Sequence, residues 1–359
     1  MRTQPTRIRI VALLGAAILL SPTTASAFTI GTGFSEGCHE RITAAAYQDF
    51  LLQLPLTTIE VPEGDVWRRV GAFLLDEAGV SRRSLSDEQF FLATSLLVGV
   101  RSPDTDGHAV LNLEAVRSLH TDPDPEGQYA HALRAVSDDF ELGDVAAVAG
   151  TRAVILAEME AGREAAQLLP EEQNERVTIF FDFYGVIEVQ VWSPAYRLGR
   201  AAHALQDSFS HTIRDEADEF RTILTVLNFA DAVAGTLRES RDGLPHSNAL
   251  DSCDERTEGT FQAASRASRD LFIASRDFFR GRNLDAVQSV LDAWVRYREG
   301  CNEENGFCGN ERWLEVLREE PTGPFLCAVG WKTTAWGEVT QRCFLALIAV
   351  TFWRRRRKR

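Results

Sequence analysis

The sequence predicts an all-α protein, one mainly helical domain over residues 28–330, and three observations predict it. Apolar residues recur at helical spacing along most of the chain. Polar loops rich in Pro, Asp and Gly separate these stretches, and no internal repeat, heptad array or linker-like segment divides them. A hydrophobic content of 45% with 21 phenylalanines gives the 359-residue chain enough apolar side chains for a sizeable core and argues against extensive disorder.

The first helix is expected over Glu40–Leu54, where Ile42, Ala45, Ala46, Phe50 and Leu54 form an apolar stripe. Residues 55–65 contain two prolines and read as a loop. Helices follow at Val66–Leu75 and Asp87–Val98, the second with Ser86 as N-cap and acidic residues in its first turn. The stretch 99–107, with Pro103, Asp104 and Asp106, reads as loop, as does Thr121–Gly127 with two prolines. Gln128–Phe140 and the Ala-rich Gly143–Gly162 read as helices. Val177–Val191 is β-branched and aromatic, which favours strand; a buried helix broken near Gly185 is the competing reading. Pro194 sits where the first turn of a long helix would begin, and that helix should run at least through His211. Further helices are expected at 215–240, 255–280, 284–299 and 311–319, with long polar loops at 99–110, 121–127, 241–254 and 301–310.

The two ends differ from the domain between them. Arg2, Arg7 and Arg9 precede an apolar run over 10–20, and Pro22 leads into Ala25-Ser26-Ala27. That order is a secretory signal over 1–27, so the mature chain is expected to begin at Phe28. In the segment 331–359, apolar Cys343–Trp353 runs into the basic Arg354–Arg359. This apolar segment is shorter than the roughly 20 residues of a full span, yet positive charge after it fits retention at a membrane. An amphipathic last helix with a solvated basic end is the alternative.

The whole chain carries a formal charge of −14. Setting aside the nine basic residues of the signal and of 354–359 leaves 29 of the 38 Lys and Arg against all 52 acidic residues. Such a surface disfavours duplex nucleic acid and anionic headgroups. It does not exclude chemistry on phosphate, because bound divalent ions can dominate the local charge. Six cysteines, at 38, 253, 301, 308, 327 and 343, fit disulfides in an exported chain. Cys301 and Cys308 could close a small loop and Cys253 or Cys38 could meet Cys327, but sequence does not choose the pairing.

The sharpest chemical signal is His203, Asp207, His211 and Asp215, one every fourth residue. On a helix these would lie on one face over three turns, where imidazole and carboxylate together suit zinc or a similar divalent ion. A solvated face with His–Asp hydrogen bonds, opposite Ala204, Leu205, Phe209 and Ile213, would give the same pattern. Further candidate ligands are His39 at the start of the first helix, Asp104 and Asp106 beside Pro103, His108 and His120 around the segment that follows, and His246 and Asp251 in a loop near Cys253. Gly-x-x-x-x-Gly-Lys-Ser/Thr, Gly-x-Gly-x-x-Gly and His-Glu-x-x-His are all absent.

An early His39-x-x-Ile42-Thr43, a Pro103-Asp104 pair, an intervening histidine and a central His203-x₃-Asp207 followed by His211 resemble the secreted zinc-dependent phospholipase C and S1/P1 nuclease superfamily, over roughly residues 28–270. The resemblance implies an all-helical fold, a cluster of up to three Zn²⁺ ions and hydrolysis of phosphoester bonds by an activated water. It implies His39, Asp104, His120, His203, Asp207 and His211 as ligands, with Asp104 also aiding the attacking water. For the family's last His-x₃-Glu/Asp element, His246 with Asp251, or Asp215, would have to substitute. Phe28 would ligate through its backbone amine and carbonyl, where the family has tryptophan. The substrate would be a phospholipid or another phosphoester. Phe180, Phe181, Phe183, Tyr184 and Trp192 could stack a base, receive an acyl chain or fill the core. The Cys343 tail resembles the surface-sorting tails of myxobacterial proteins, which implies a secreted or envelope location in a bacterium, with the tail as an anchor. The rival reading is a noncatalytic surface protein that keeps the metal site for stability.

Overall fold

The computed structural model describes residues 37–51, 59–109, 119, 125–138, 142–181, 185–228, 244, 250–251, 253, 257–281 and 283–318, all within one compact unit spanning Ala25–Glu319. Helix α1 (Cys38–Leu51) turns one face inward, so His39, Ile42, Thr43, Ala46 and Tyr47 are buried at i, i+3, i+4, i+7 and i+8. Helix α2 (Val66–Glu77) does the same with Trp67, Val70, Gly71, Leu74 and Leu75. Helix α3 (Asp87–Thr105) starts at the capping box that Ser86 anticipates: Gln89 N donates to the Ser86 hydroxyl at 3.2 Å, and Ser86 N donates to Gln89 Oε1 at 2.9 Å. Every residue of α3 from Phe90 to Thr105 is buried, which makes it the central helix.

A short α4 (Pro125–Ala130) leads to α5 (Gly143–Ala166). Then β1 (Asn174–Phe181) and β2 (Gly185–Trp192) form an antiparallel hairpin with Asn174 opposite Trp192 and Phe181 opposite Gly185. Gly185 has φ +77°, a conformation few other residues adopt. Helix α6 (Ser193–Ser210) follows with Pro194 in its first turn and packs against α1, α3, α5 and α7 (Glu258–Phe278). A second small sheet has the order β3 (Thr212–Arg214), β4 (Thr222–Val226), β5 (Arg296–Tyr297), antiparallel then parallel. Helices α8 (Asp285–Trp294) and α9 (Arg312–Arg318) complete the described elements.

The fold is therefore mainly helical with two small sheets, and the all-α expectation is corrected to that extent. Val177–Val191 takes the strand reading. The loop expected over 99–107 is instead helical through Thr105, with Pro103 inside α3. Burial of sixteen successive residues outweighs the proline, which sits in the last turn. The helix expected over Gln128–Phe140 stops at Ala130; Ala132 has φ +50°, and Arg134 N donates to Leu227 O at 3.0 Å, so tertiary bonds draw the backbone out of the helix. Of the expected loop 121–127, the described part, Pro125–Gly127, is helical. The helix expected over 215–240 is replaced in its described part by a 3₁₀ turn at Glu216–Asp218 and by β4, whose Thr-Ile-Leu-Thr-Val sequence suits a wholly buried strand. The helix expected over 284–299 ends at Trp294 and gives way to β5.

Cys38 pairs with Cys253, and Cys301 with Cys308. The second bridge closes the expected small loop; the first corrects the suggestion that Cys38 or Cys253 meets Cys327. These bridges fit an extracellular or other oxidising compartment. No described helix is long and apolar enough to cross a membrane. The signal over 1–27 and the tail over 331–359 lie outside the described residues.

Candidate metal centre

The elements just described bring seven polar side chains to one buried place. Helix α1 supplies His39, the last turn of α3 supplies Asp104, the turn after α4 supplies His131, and α6 supplies His203 and Asp207. His211, at the C-cap of α6, and Asp251 lie beside them. None is more than 4% exposed.

Asp207 is the hub. Its Oδ1 lies 3.1 Å from His39 Nε2, while its Oδ2 lies 3.0 Å from both His131 Nδ1 and His203 Nε2. Asp104 repeats the pattern at longer range: Oδ2 is 4.0 Å from His39 Nε2, and Oδ1 is 3.9 Å from His131 Nδ1 and from His203 Nε2. Each carboxylate thus turns one oxygen to His39 and the other to the His131–His203 pair. Two sets of ligand atoms, those of His39, Asp104 and His203 and those of His131, His203 and Asp207, each fall within 4.8 Å of one another. Either set could hold a metal ion. His211 Nε2 lies 3.9 Å from Asp251 Oδ1.

The opposite side of three of the rings is held by the protein. His203 Nδ1 donates to Val100 O at 2.8 Å, and His211 Nδ1 donates to His131 O. A carbonyl can only accept, so both rings carry a proton on Nδ1 and turn Nε2 inward. His39 Nδ1 lies 2.7 Å from Gln206 Oε1, and the His39 and His203 rings stack with centroids 4.3 Å apart.

Two buried carboxylates so close need compensating positive charge. Burial alone would lower the His39 pKa, but the charges of Asp207 and Asp104 and the bonds to Asp207 and Gln206 outweigh it and raise it to about 9. Burial would likewise raise Asp207, yet His203, His211 and His39, with the bond from His131, hold it well below the usual carboxylate range. Without metal, a proton on His39 supplies the compensation; a divalent cation at the same place supplies more of it. Nitrogen and carboxylate oxygen donors without a thiolate suit such an ion, and the four described cysteines are all in disulfides.

The structure brings together His39, Asp104, His203, Asp207, His211 and Asp251 of the sequence candidates. Asp215 does not join them. Helix α6 ends at Ser210, where Arg214 folds back and donates from Nε to Ser208 O at 2.8 Å. Asp215 then accepts from Ala217 N at 3.1 Å and pairs with Arg298 at 2.8 Å. The four-residue spacing that placed it with the others holds only while the helix lasts. Asp106 caps α3 with φ 40° and is exposed. Phe28, His120 and His246 lie outside the described residues.

His131 is not among the sequence candidates; among the described residues it is the histidine between Asp104 and His203 that reaches the cluster. The only signal for it is the need for one histidine between those two, which His120 meets equally well. Gln206, next to Asp207 in sequence, was also passed over, since a glutamine among core residues carries no mark of its role. Comparisons of the chain with protein families, with curated proteins and with solved structures find no match.

Proposed function

We propose that this protein is an exported, zinc-dependent hydrolase of phosphoester bonds, with two or three ions held by His39, Asp104, His131, His203, Asp207, His211 and Asp251. One observation carries the reading: Asp104 and Asp207 each divide their two oxygens between His39 and the His131–His203 pair. A single structural ion needs one oxygen from each carboxylate. Carboxylates shared between two imidazole sets suit neighbouring ions, an arrangement used mainly for displacement at phosphorus. Bound ions of this kind would lower the pKa of a water and neutralise charge growing on phosphate oxygens.

The chain's own groups have distinct parts in this reading. His203 and His211 hold their Nδ1 protons on backbone carbonyls, so their Nε2 atoms stay aimed inward. Asp207 is the shared carboxylate of the inner positions. Asp104 would be a ligand and would also accept a proton from the attacking water. It stands farther from the three rings than Asp207 does. A phospholipid or another small phosphoester fits the acidic chain better than duplex nucleic acid.

A second reading, a noncatalytic metal-stabilised surface protein, draws on burial: with every candidate ligand at most 4% exposed, the site resembles a structural one. The test is metal content per chain by elemental mass spectrometry, followed by turnover of a chromogenic phosphodiester and of phosphatidylcholine vesicles. Two or three zinc ions with turnover that chelation abolishes supports the hydrolase. One tightly held ion without turnover favours the second reading, and no bound metal overturns both.

A further inference from the structure

Gln206 has no exposed surface and lies on α6 one residue before Asp207. Its Oε1 is 2.7 Å from His39 Nδ1. Its Nε2 donates to Thr43 Oγ1 at 2.9 Å and to Ser268 Oγ at 3.2 Å. Thr43 lies one turn after His39 on α1, and Ser268 is on α7, so three helices meet at this one amide. With both of its hydrogens given to hydroxyls, the amide has only its oxygen to offer His39.

A neutral imidazole has one nitrogen lone pair. If Nδ1 carries the proton and donates it to Gln206 Oε1, the lone pair is on Nε2, the atom that faces Asp207 and Asp104. The His203 and His211 rings get the same instruction from the backbone carbonyls of Val100 and His131, which cannot be rearranged. His39 gets it from a side chain whose amide could be turned end for end. Turned round, the amide would donate to Nδ1 and put the proton on Nε2, which could not coordinate. It would also leave one of its two buried hydrogens without the hydroxyl acceptor it now has, so Thr43 and Ser268 favour the present orientation.

We propose that Gln206 is the positioning residue of the His39 arm: held by Thr43 and Ser268, it fixes the proton of His39 on Nδ1 and so makes Nε2 a metal ligand. The inference rests on the metal-centre reading above and adds a residue to it that touches no ion itself. Loss of such an outer partner typically weakens metal binding about 10–100-fold.

The experiment titrates full-length wild-type, Gln206→Leu, Gln206→Glu and Thr43→Val protein with Zn²⁺ against a chromophoric chelator, and with Co²⁺ followed by its visible spectrum. Circular dichroism and melting are recorded for each variant. Gln206→Leu should weaken one ion per chain by about 10–100-fold and leave the rest unchanged. Gln206→Glu should rescue it, because a carboxylate can only accept and so forces the same tautomer. Thr43→Val, which frees the amide on one side, should fall between wild type and Gln206→Leu. Wild-type affinity in Gln206→Leu overturns the inference. So does an equal loss in folded Gln206→Leu and Gln206→Glu, which would mean that packing and not proton placement matters. Should Gln206→Leu fail to fold, Gln206→Glu and Thr43→Val still decide: wild-type affinity in Thr43→Val, or weakening in Gln206→Glu, overturns it. Wild-type protein that binds no ion is a different result, and it removes the metal-centre reading along with this inference.

Discussion

Gly99 of α3 and Gly199 of α6 meet backbone to backbone: a β-carbon on Gly199 would stand 2.8 Å from Gly99 Cα and 2.3 Å from Leu96 O. A β-carbon on Gly99 would lie 2.1 Å from Tyr196 O. This close crossing lets the next residue, Val100, offer its carbonyl to His203, and brings Asp104 of one helix to Asp207 of the other. Alanine at either glycine must push the helices apart against backbone that cannot rotate away. Gly199→Ala is expected to cost about 1–3 kcal/mol, the usual penalty of overpacking, and to weaken metal binding. Gly162→Ala is the comparison: its new β-carbon would meet the Phe279 ring at 3.0 Å and Arg197 Cβ at 3.2 Å, milder contacts that a shift of a few tenths of an ångström relieves. Thermal melts and metal titration of the two variants should separate them clearly.

The two aspartates that share the helical spacing have different surroundings, so their substitutions should have different effects. Asp207→Asn removes the shared charge from three histidines and should lower metal content per chain. Asp215→Asn weakens its pair with the half-exposed Arg298, worth about 1 kcal/mol or less, and its other partners, Ala217 N and Asn310 Nδ2, are also outside the cluster. It should leave metal content unchanged. Equal metal loss in both would return Asp215 to the site.

The proton on His39 gives the metal-free protein a distinctive pH dependence. The folded-state pKa is about 9, above the ordinary value of about 6.5 in the unfolded chain. A raised histidine contributes stability that is fully present below about 6.5 and is lost as pH rises through about 9. The chelated protein should therefore melt at progressively lower temperature from pH 6.5 to 9.5, with a contribution of at most about 3 kcal/mol. With zinc bound the trend should reverse below pH 9, because the ion must displace that proton. Proton release on zinc addition, measured in weakly buffered solution at pH 7, checks the sign.

The disulfide between Cys38 and Cys253 adjoins two site residues: Cys38 precedes His39, and Cys253 is two residues beyond Asp251. Its sequence separation is 215 residues. Replacing both cysteines by alanine is expected to cost about 2–5 kcal/mol and to weaken metal at the His211–Asp251 end more than at Asp207. The Cys301–Cys308 bridge spans 7 residues far from the cluster in sequence. Its removal should leave metal binding intact. Metal content after each double substitution decides whether the long bridge supports the site.

What could be read in the sequence follows the range of the physics involved. His203, Asp207 and His211 were legible because one helix sets their spacing, and the hairpin was legible because β-branched and aromatic residues crowd 177–191. Pro103 misled because a proline near a helix end is a weak local signal against the burial of α3 from Phe90 to Thr105. Asp215 misled because periodicity does not show where Arg214 will turn back to stop a helix. His131 was invisible for a different reason: it joins the cluster through the path of residues 131–134, which bonds to Leu227 and His211 fix from outside the segment. The Cys38–Cys253 pairing is likewise a property of the packed helices.

The burial of the cluster also sets a clock. An ion enclosed by residues with 4% exposure or less can exchange with solvent only after a covering element swings away. Loss of zinc to a strong chelator should then proceed at a rate independent of chelator concentration, the rate of that opening. A phosphoester entering the same place would need the same movement, so turnover could be no faster than the opening that chelation measures.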